Sequence, residues 1–562
     1  MLASTCRKAT SRFVLFTKYR SYTNAHTNVS VLSENPLVNL NDEFVKYARV
    51  KGEHVVPAVR WALDDFNTRI NELETHINKN IEQGNPLTWE EVMDKREVAG
   101  TAIERVWGAV NHLKGVRDDS ALRKAYDEVQ GEVVSTFAAY GQSETLFKAY
   151  ESIANQGGGA ATLTNTQRRV IDQAIRDATH AGVALQGEAR EKYKSINMEL
   201  SNLTTQFSQN VVDSTNAFSL LITDSKQVEG VPANLRLSMA TAALKKNSSV
   251  ADDARVGDAD KGPWLLTLDA TVFGPFMQTG TCAETREVLY KAYQHRASEF
   301  DAAKTEGQNY DNAPIIKRIL ELRQEKAQML GYDTYTDMSL AKKMAQNVTN
   351  VNDLLEPLFA ASRPAAVKEL AQLKEFAQQN GHNGDLQLWD VSYWAEKQKL
   401  ALFGLTDEDL RPYFALPNVL DGMFDLANEI FSISISEAEM PEDVAWDKHV
   451  RLFEVKENRE GSAKGTTIAK FFMDAFSRPG VKRGGAWMDT CVGKSKAQHH
   501  DVPVAFLVCN QTTPAQEGQP SLMTFREVET LFHEFGHSLQ HMLTTVDCGD
   551  AAGINGMTTA RK

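Results

Sequence analysis

The stretch Thr530-Leu531-Phe532-His533-Glu534-Phe535-Gly536-His537 contains an H-E-x-x-H. Residues four apart on a helix share a face, so His533 and His537 can grip one Zn²⁺ between them. Glu534 then points at the metal's open position, where in a hydrolytic zinc site it takes a proton from water. The spacing predicts amide hydrolysis, with His533 and His537 as metal ligands and Glu534 as the catalytic base. The alternative is two exposed imidazoles on an ordinary amphipathic helix.

Thr524 with Glu527 three residues on forms a capping box, which starts the helix there. The stripe Val528, Leu531, Phe532, Phe535, Leu539 and Met542 supplies its apolar side and carries it to about Leu543. His533 and His537 then lie about 40° apart around the axis. Gly536 weakens such a helix by ~1 kcal/mol relative to alanine. That points to another backbone approaching closely at this position. His541 and the His499-His500 pair are assigned to the surface and given no ligand role.

Helical period continues through most of the chain. From His54 to Glu74, Val55, Val56, Val59, Leu63, Phe66, Ile70 and Leu73 recur at three and four. From Glu188 to Val212 the stripe is Tyr193, Ile196, Leu200, Leu203, Phe207 and Val211. Further helices are expected over 282–300, 312–330, 350–380 and 420–432. Val450 to Val455, Thr466 to Phe472 and Val502 to Cys509 are rich in β-formers, with a hairpin tip at Asn458 to Gly465. A small sheet just before the zinc helix follows. Gly157-Gly158-Gly159 is a turn cluster without the Gly-Lys-Ser/Thr that a phosphate loop needs. Pro232, Gly257, Gly262 and Pro263 collect at a soft boundary near 230–280.

A chain of 562 residues holds two or three domains. Its net charge of −13 argues against a nucleic-acid partner, which calls for a basic face. No apolar run approaches the roughly 18–20 residues that span a bilayer, so no membrane insertion is expected. Cys6, Cys282, Cys491, Cys509 and Cys548 are odd in number and widely spaced, which reads as free thiols in a reducing compartment. The start carries Arg7, Lys8, Arg12, Lys18 and Arg20, many hydroxyl residues and no acid before Glu34. That resembles an organellar transit peptide over 1–33, mitochondrial before plastid, with a disordered basic tail as the alternative.

The segment from Ser521 to His537 resembles the signature of the thimet oligopeptidase/oligopeptidase A family of zinc metallopeptidases, most of all its organellar oligopeptidase A-like branch. The likeness includes Glu53 to Ala58, Val106-Trp107-Gly108 with Asn111-His112-Leu113, and Gly262-Pro263-Trp264 with Thr267-Leu268-Asp269. It continues through Leu330-Gly331-Tyr332, Leu410 to Phe414, Ser477-Arg478-Pro479, Lys482 to Trp487 and Pro503 through Gln511.

The resemblance implies a mainly α, two-lobed zincin-type oligopeptidase (neurolysin-like) fold. A small β-sheet would lie next to the zinc helix and a deep channel between the lobes. It implies an N-terminal helical domain over 34–255 and a catalytic domain over 256–562. One Zn²⁺ would sit on His533 and His537, with Glu534 as base. The substrates would be short unstructured peptides, such as cleaved presequences and degradation products, handled by a monomer. The compartment would be the mitochondrial matrix, with plastid or cytoplasm as runners-up. The strand at Val504 to Leu507 would lie beside the site and either pair with substrate backbone or serve as a core strand.

The family's third ligand is a Glu in a segment resembling Gly-Ile-x-x-x-Glu-Trp-Asp-x-Val-Glu. This chain opens that segment at Gly553-Ile554-Asn555-Gly556 and then reads Met557 to Lys562, so the Glu position falls at or just past the terminus. The expectation is a catalytic domain incomplete at its C-terminal end, and two functional readings stay open. One is the active peptidase; the other is a peptide-binding form that lacks the third ligand and does not turn over. Asp550, past the helix, is a further candidate ligand.

Overall fold

The computed structural model describes residues 34–555 except 41, 156–162, 247–256, 304–307, 460–464, 479 and 514–518. The transit segment expected over 1–33, Cys6, the Gly157–Gly159 cluster, most of the 458–465 tip and the stretch after Asn555 lie outside the described residues.

The N-terminal part is helical. Helix α1 (Gly52–Glu82) buries Val55, Val59, Leu63, Phe66, Ile70 and Leu73, the stripe read from sequence. It packs against α2 (Lys95–Val116) and α3 (Ser120–Gly141). Gly52 is required at this contact, because a Cβ there would stand 2.7 Å from the Ala121 backbone. Helix α4 (Gly187–Ala217) forms as expected, but of its predicted stripe only Tyr193 and Ile196 are fully buried. A two-stranded antiparallel sheet pairs β1 (Leu220–Ile222) with β2 (Trp264–Leu266).

Among the later helices are α5 (Val348–Gln379), α6 (Leu388–Phe403), α7 (Leu416–Phe431) and α8 (Phe525–Met542). The helix expected over 282–300 stops at Gln294, where His295 caps it. Helix α5 spans 32 residues, yet only Leu373 and Ala377 are buried along it. Leu354, Leu358 and Phe359 are more than half exposed.

Five strands form the second sheet: β3 (Ile433–Ala438), β4 (Arg451–Glu457), β5 (Thr467–Phe476), β6 (Trp487–Val492) and β7 (Val504–Gln511). Their order is β3-β4-β5-β7-β6, antiparallel except for the parallel β5–β7 pair. Both faces are apolar. Leu452, Phe472, Val504, Phe506 and Val508 share a core with α1 and α2. Phe453, Phe471, Ala505, Leu507 and Cys509 face α7 and α8. Alternate residues of β5 and β7 thus enter two cores, which is why these strands read as unbroken apolar runs.

A buried polar knot ties the end of β5 to the segment leading into β6. Lys482 Nζ donates to Asp474 Oδ1 at 2.8 Å and to the carbonyls of Phe476 at 2.8 Å and Cys509 at 2.5 Å. Arg478 forks onto both Asp474 oxygens, and the Trp446 indole donates to Oδ2. Burial alone would raise the Asp474 carboxyl, but the Arg478 hydrogen bond and the Lys482 charge hold it below the usual carboxylate range.

Candidate metal and catalytic site

The helix that carries the H-E-x-x-H is α8. The Thr524 hydroxyl accepts from Glu527 N at 3.1 Å, and the Glu527 carboxylate accepts from Thr524 N at 2.7 Å, which closes the capping box. Leu531, Phe535 and Met542 enter the core under the sheet, and Phe535 meets Phe471 edge-on at 6.0 Å. Phe532 departs from the predicted stripe. It is 37% exposed: it lies about 100° around the axis from Leu531 and about 60° from Phe535, at the margin of the buried stripe.

The two ligand candidates come together. His533 Nε2 and His537 Nε2 lie 3.2 Å apart, with the rings nearly perpendicular at 87°. Two nitrogens at tetrahedral positions around one zinc, each about 2.0–2.1 Å away, lie about 3.3 Å apart. The pair therefore fits two coordination positions of one ion. Both rings stand toward solvent rather than in the core. Among the described residues no group of three or more His, Cys, Asp or Glu side chains is placed to hold a metal.

Glu534 is half-buried, and its backbone carbonyl accepts from the Ser538 hydroxyl at 3.0 Å. Its charge reaches β7: the Cys509 thiol is pushed up to about 12, first by burial, with the carboxylate of Glu534 adding to the shift.

Four expectations are corrected here. Among the described residues no backbone crowds Gly536: a Cβ there would meet none of them within 4 Å. His541 is not a surface residue. It is 1% exposed, and its Nε2 meets the Val492 carbonyl of β6 at 3.0 Å. Burial pushes this imidazole below its ordinary value, which keeps it neutral. Its neighbour in the same surface assignment, His500, is half-buried, while His499 is exposed. Asp550 does not turn toward the histidine pair; it forms an ion pair with Arg96 of α2.

The strand Val504 to Leu507 is a core strand. Its backbone is paired on both sides, with β5 and with β6, so it has no free edge for a peptide. The edge next to β7 belongs to β6, which the sequence did not reveal: Trp-Met-Asp-Thr-Cys-Val is short and shows no clean alternation of burial. A signal for His541 did exist. It falls three residues after buried Ser538, on the flank of the apolar stripe.

Residues 276–560 match the model of peptidase family M3, and residues 59–190 match that of the neurolysin/thimet oligopeptidase N-terminal domain. The chain is 40% identical over 530 residues to the organellar oligopeptidase A, chloroplastic/mitochondrial, of Arabidopsis thaliana, covering 93% of this chain and 63% of that one. It is 39% identical over 530 residues to a probable cytosolic oligopeptidase A of the same plant, covering 93% and 71%. It is 37% identical over 528 residues to oligopeptidase A of Escherichia coli (strain K12), covering 93% and 72%. The chain thus spans between 63% and 72% of the length of these relatives. With the H-E-x-x-H helix inside the larger matched region and the N-terminal helices inside the other, this chain belongs to peptidase family M3.

Proposed function

We propose that this chain is a zinc-dependent oligopeptidase acting on short unstructured peptides. The observation that carries the reading is the convergence of His533 and His537 at 3.2 Å, with Glu534 between them on a capped helix. Zn²⁺, when bound by the two imidazoles, supplies a Lewis acid that polarises the scissile carbonyl and makes a water easier to deprotonate. Glu534 accepts that water's proton at a carboxylate oxygen and returns it to the leaving nitrogen. The outer edge of β6, at the end of the sheet beside α8, is where an extended peptide would add as a further strand. A channel between two lobes would limit access to unfolded chains. Replacing Glu534 by Gln tests the assignment: zinc content is kept and cleavage of fluorogenic peptides is lost. Retained cleavage would refute the role of Glu534.

A second reading is peptide binding without turnover. It draws on the absence, among the described residues, of a third donor beside the pair, because catalytic zinc ordinarily has three protein ligands. Peptide binding that added Zn²⁺ leaves unchanged, with no cleavage, would select it over the first. The basic, acid-free stretch before Glu34 supports delivery to an organelle, the mitochondrial matrix first. Residues 1–33 fused to a fluorescent reporter test this, and a diffuse cytosolic signal would count against it. A monomer is the proposed state; light scattering at twice the chain's 62.5 kDa would overturn it.

A further inference from the structure

Seven residues separate Glu534 from His541, which is two turns less about 20° around the helix. The two side chains therefore lie on one flank of α8, and His537 lies about 40° beyond His541. That flank faces β6, because His541 Nε2 donates to the Val492 carbonyl at 3.0 Å. The other side of the same ring is filled by backbone. Gly553 has φ +59°, and a Cβ there would stand 2.7 Å from His541 Nδ1 and 3.0 Å from its Cα. The ring is thus wedged between an edge-strand carbonyl and a glycine that only a left-handed, Cβ-free backbone brings so close.

Apolar packing along α8 resists its separation from the sheet but does little against rolling about its own axis. A hydrogen bond set off the axis does resist roll. With side-chain atoms roughly 5–6 Å from the axis, a 20° roll would carry the metal-site groups by about 2 Å. Displacement on that scale disables a site that needs tight positioning.

We propose that His541 is a positioning residue, setting the roll of the metal helix against β6 and so aiming Glu534 and the His533–His537 pair. This rests on the zinc reading above, and it makes Gly553 a second part of the same lock.

The test uses the full chain with His541→Gln, which keeps a donor, His541→Leu, which does not, and Gly553→Ala, which loads the ring from the other side. Zinc affinity is measured by chelator competition, alongside the histidine ring signals of the metal-free protein and urea midpoints. The Leu and Ala variants should weaken zinc binding about tenfold and shift the His533 and His537 ring signals, while Gln stays within about threefold of the parent. The Gln variant should do so even where its urea midpoint has fallen as far as that of Leu. Zinc affinity and ring signals unchanged in the Leu variant would overturn the proposal. So would equal losses in Gln and Leu. If the parent takes up no zinc, the zinc reading fails, and the metal-free ring signals still decide the positioning role. If the Leu variant does not fold, parent-like ring signals in Gly553→Ala overturn the proposal instead.

Discussion

Replacing Lys482 by Met should destabilise the sheet that carries the metal helix. Lys482 and Asp474 both have fully buried side chains, so neither can recover its interactions from water. Methionine fills most of the space and donates nothing. The carbonyls of Phe476 and Cys509 then lose the donor they share, at about 1–3 kcal/mol for each acceptor left bare. Asp474 keeps Arg478 at 2.8 and 2.7 Å and Trp446 at 2.8 Å, so its charge is not left alone. Breaking one side of a buried pair costs about 3–5 kcal/mol, and the surviving Arg478 fork places this case near the lower end. Urea unfolding of the metal-free protein, followed by far-UV circular dichroism, measures it. Asp474→Asn together with Lys482→Met should lose less than the sum of the single changes, because the two share one network. A loss under about 1 kcal/mol for Lys482→Met would refute the reasoning.

Glu534→Gln should lower peptide cleavage by at least about 10²-fold, the smaller end of what a positioned base contributes, with zinc content unchanged by metal analysis. His112 should make stability depend on pH. It lies buried against Phe506 at 3.7 Å, and among the described residues neither ring nitrogen has a partner. Burial is the largest cause that brings its pKa from 6.5 down to about 3. Between those values the unfolded chain holds the extra proton, so this contribution is complete above pH 6.5 and falls by about 1.4 kcal/mol per pH unit on acidification. His112→Phe should flatten that slope in urea midpoints taken from pH 7 to pH 5, and an unchanged slope would assign it elsewhere. Gly536→Ala should stabilise the protein by about 1 kcal/mol, seen as a raised urea midpoint, since the added methyl meets none of the described residues and gains helix propensity; a lowered midpoint would mean that something crowds that face after all.

The metal helix was legible because its information is local. The Thr524–Glu527 box and the Leu531, Phe535 and Met542 stripe place it within about one residue of its observed ends. The histidine pair follows from the same geometry. Strand order was not legible, because β7 pairs in parallel with β5 and leaves β6, which precedes it in the chain, at the end of the sheet, and no spacing in the sequence encodes that. Hence β7 could be taken for an edge. The residue type of His541 suggests water, whereas its place beside Ser538 and Met542 turns it inward. Asp550 was considered for the metal from proximity along the chain, but Arg96, far away in sequence, holds it. Leu200, Leu203, Phe207 and Val211 show the converse: the stripe fixes the helix, but not how much of it a neighbour covers.

Because one side of the five-stranded sheet is completed by residues from α1 and α2, the part that begins at residue 256 cannot be cut loose without consequence. Leu452, Phe472, Val504, Phe506 and Val508 would all be stripped of their cover at once. Three of them, Val504, Phe506 and Val508, sit in β7, whose opposite side supports α8. Such a fragment should come out of cells as aggregate, and supplying residues 34–255 as a separate chain should bring it back into solution.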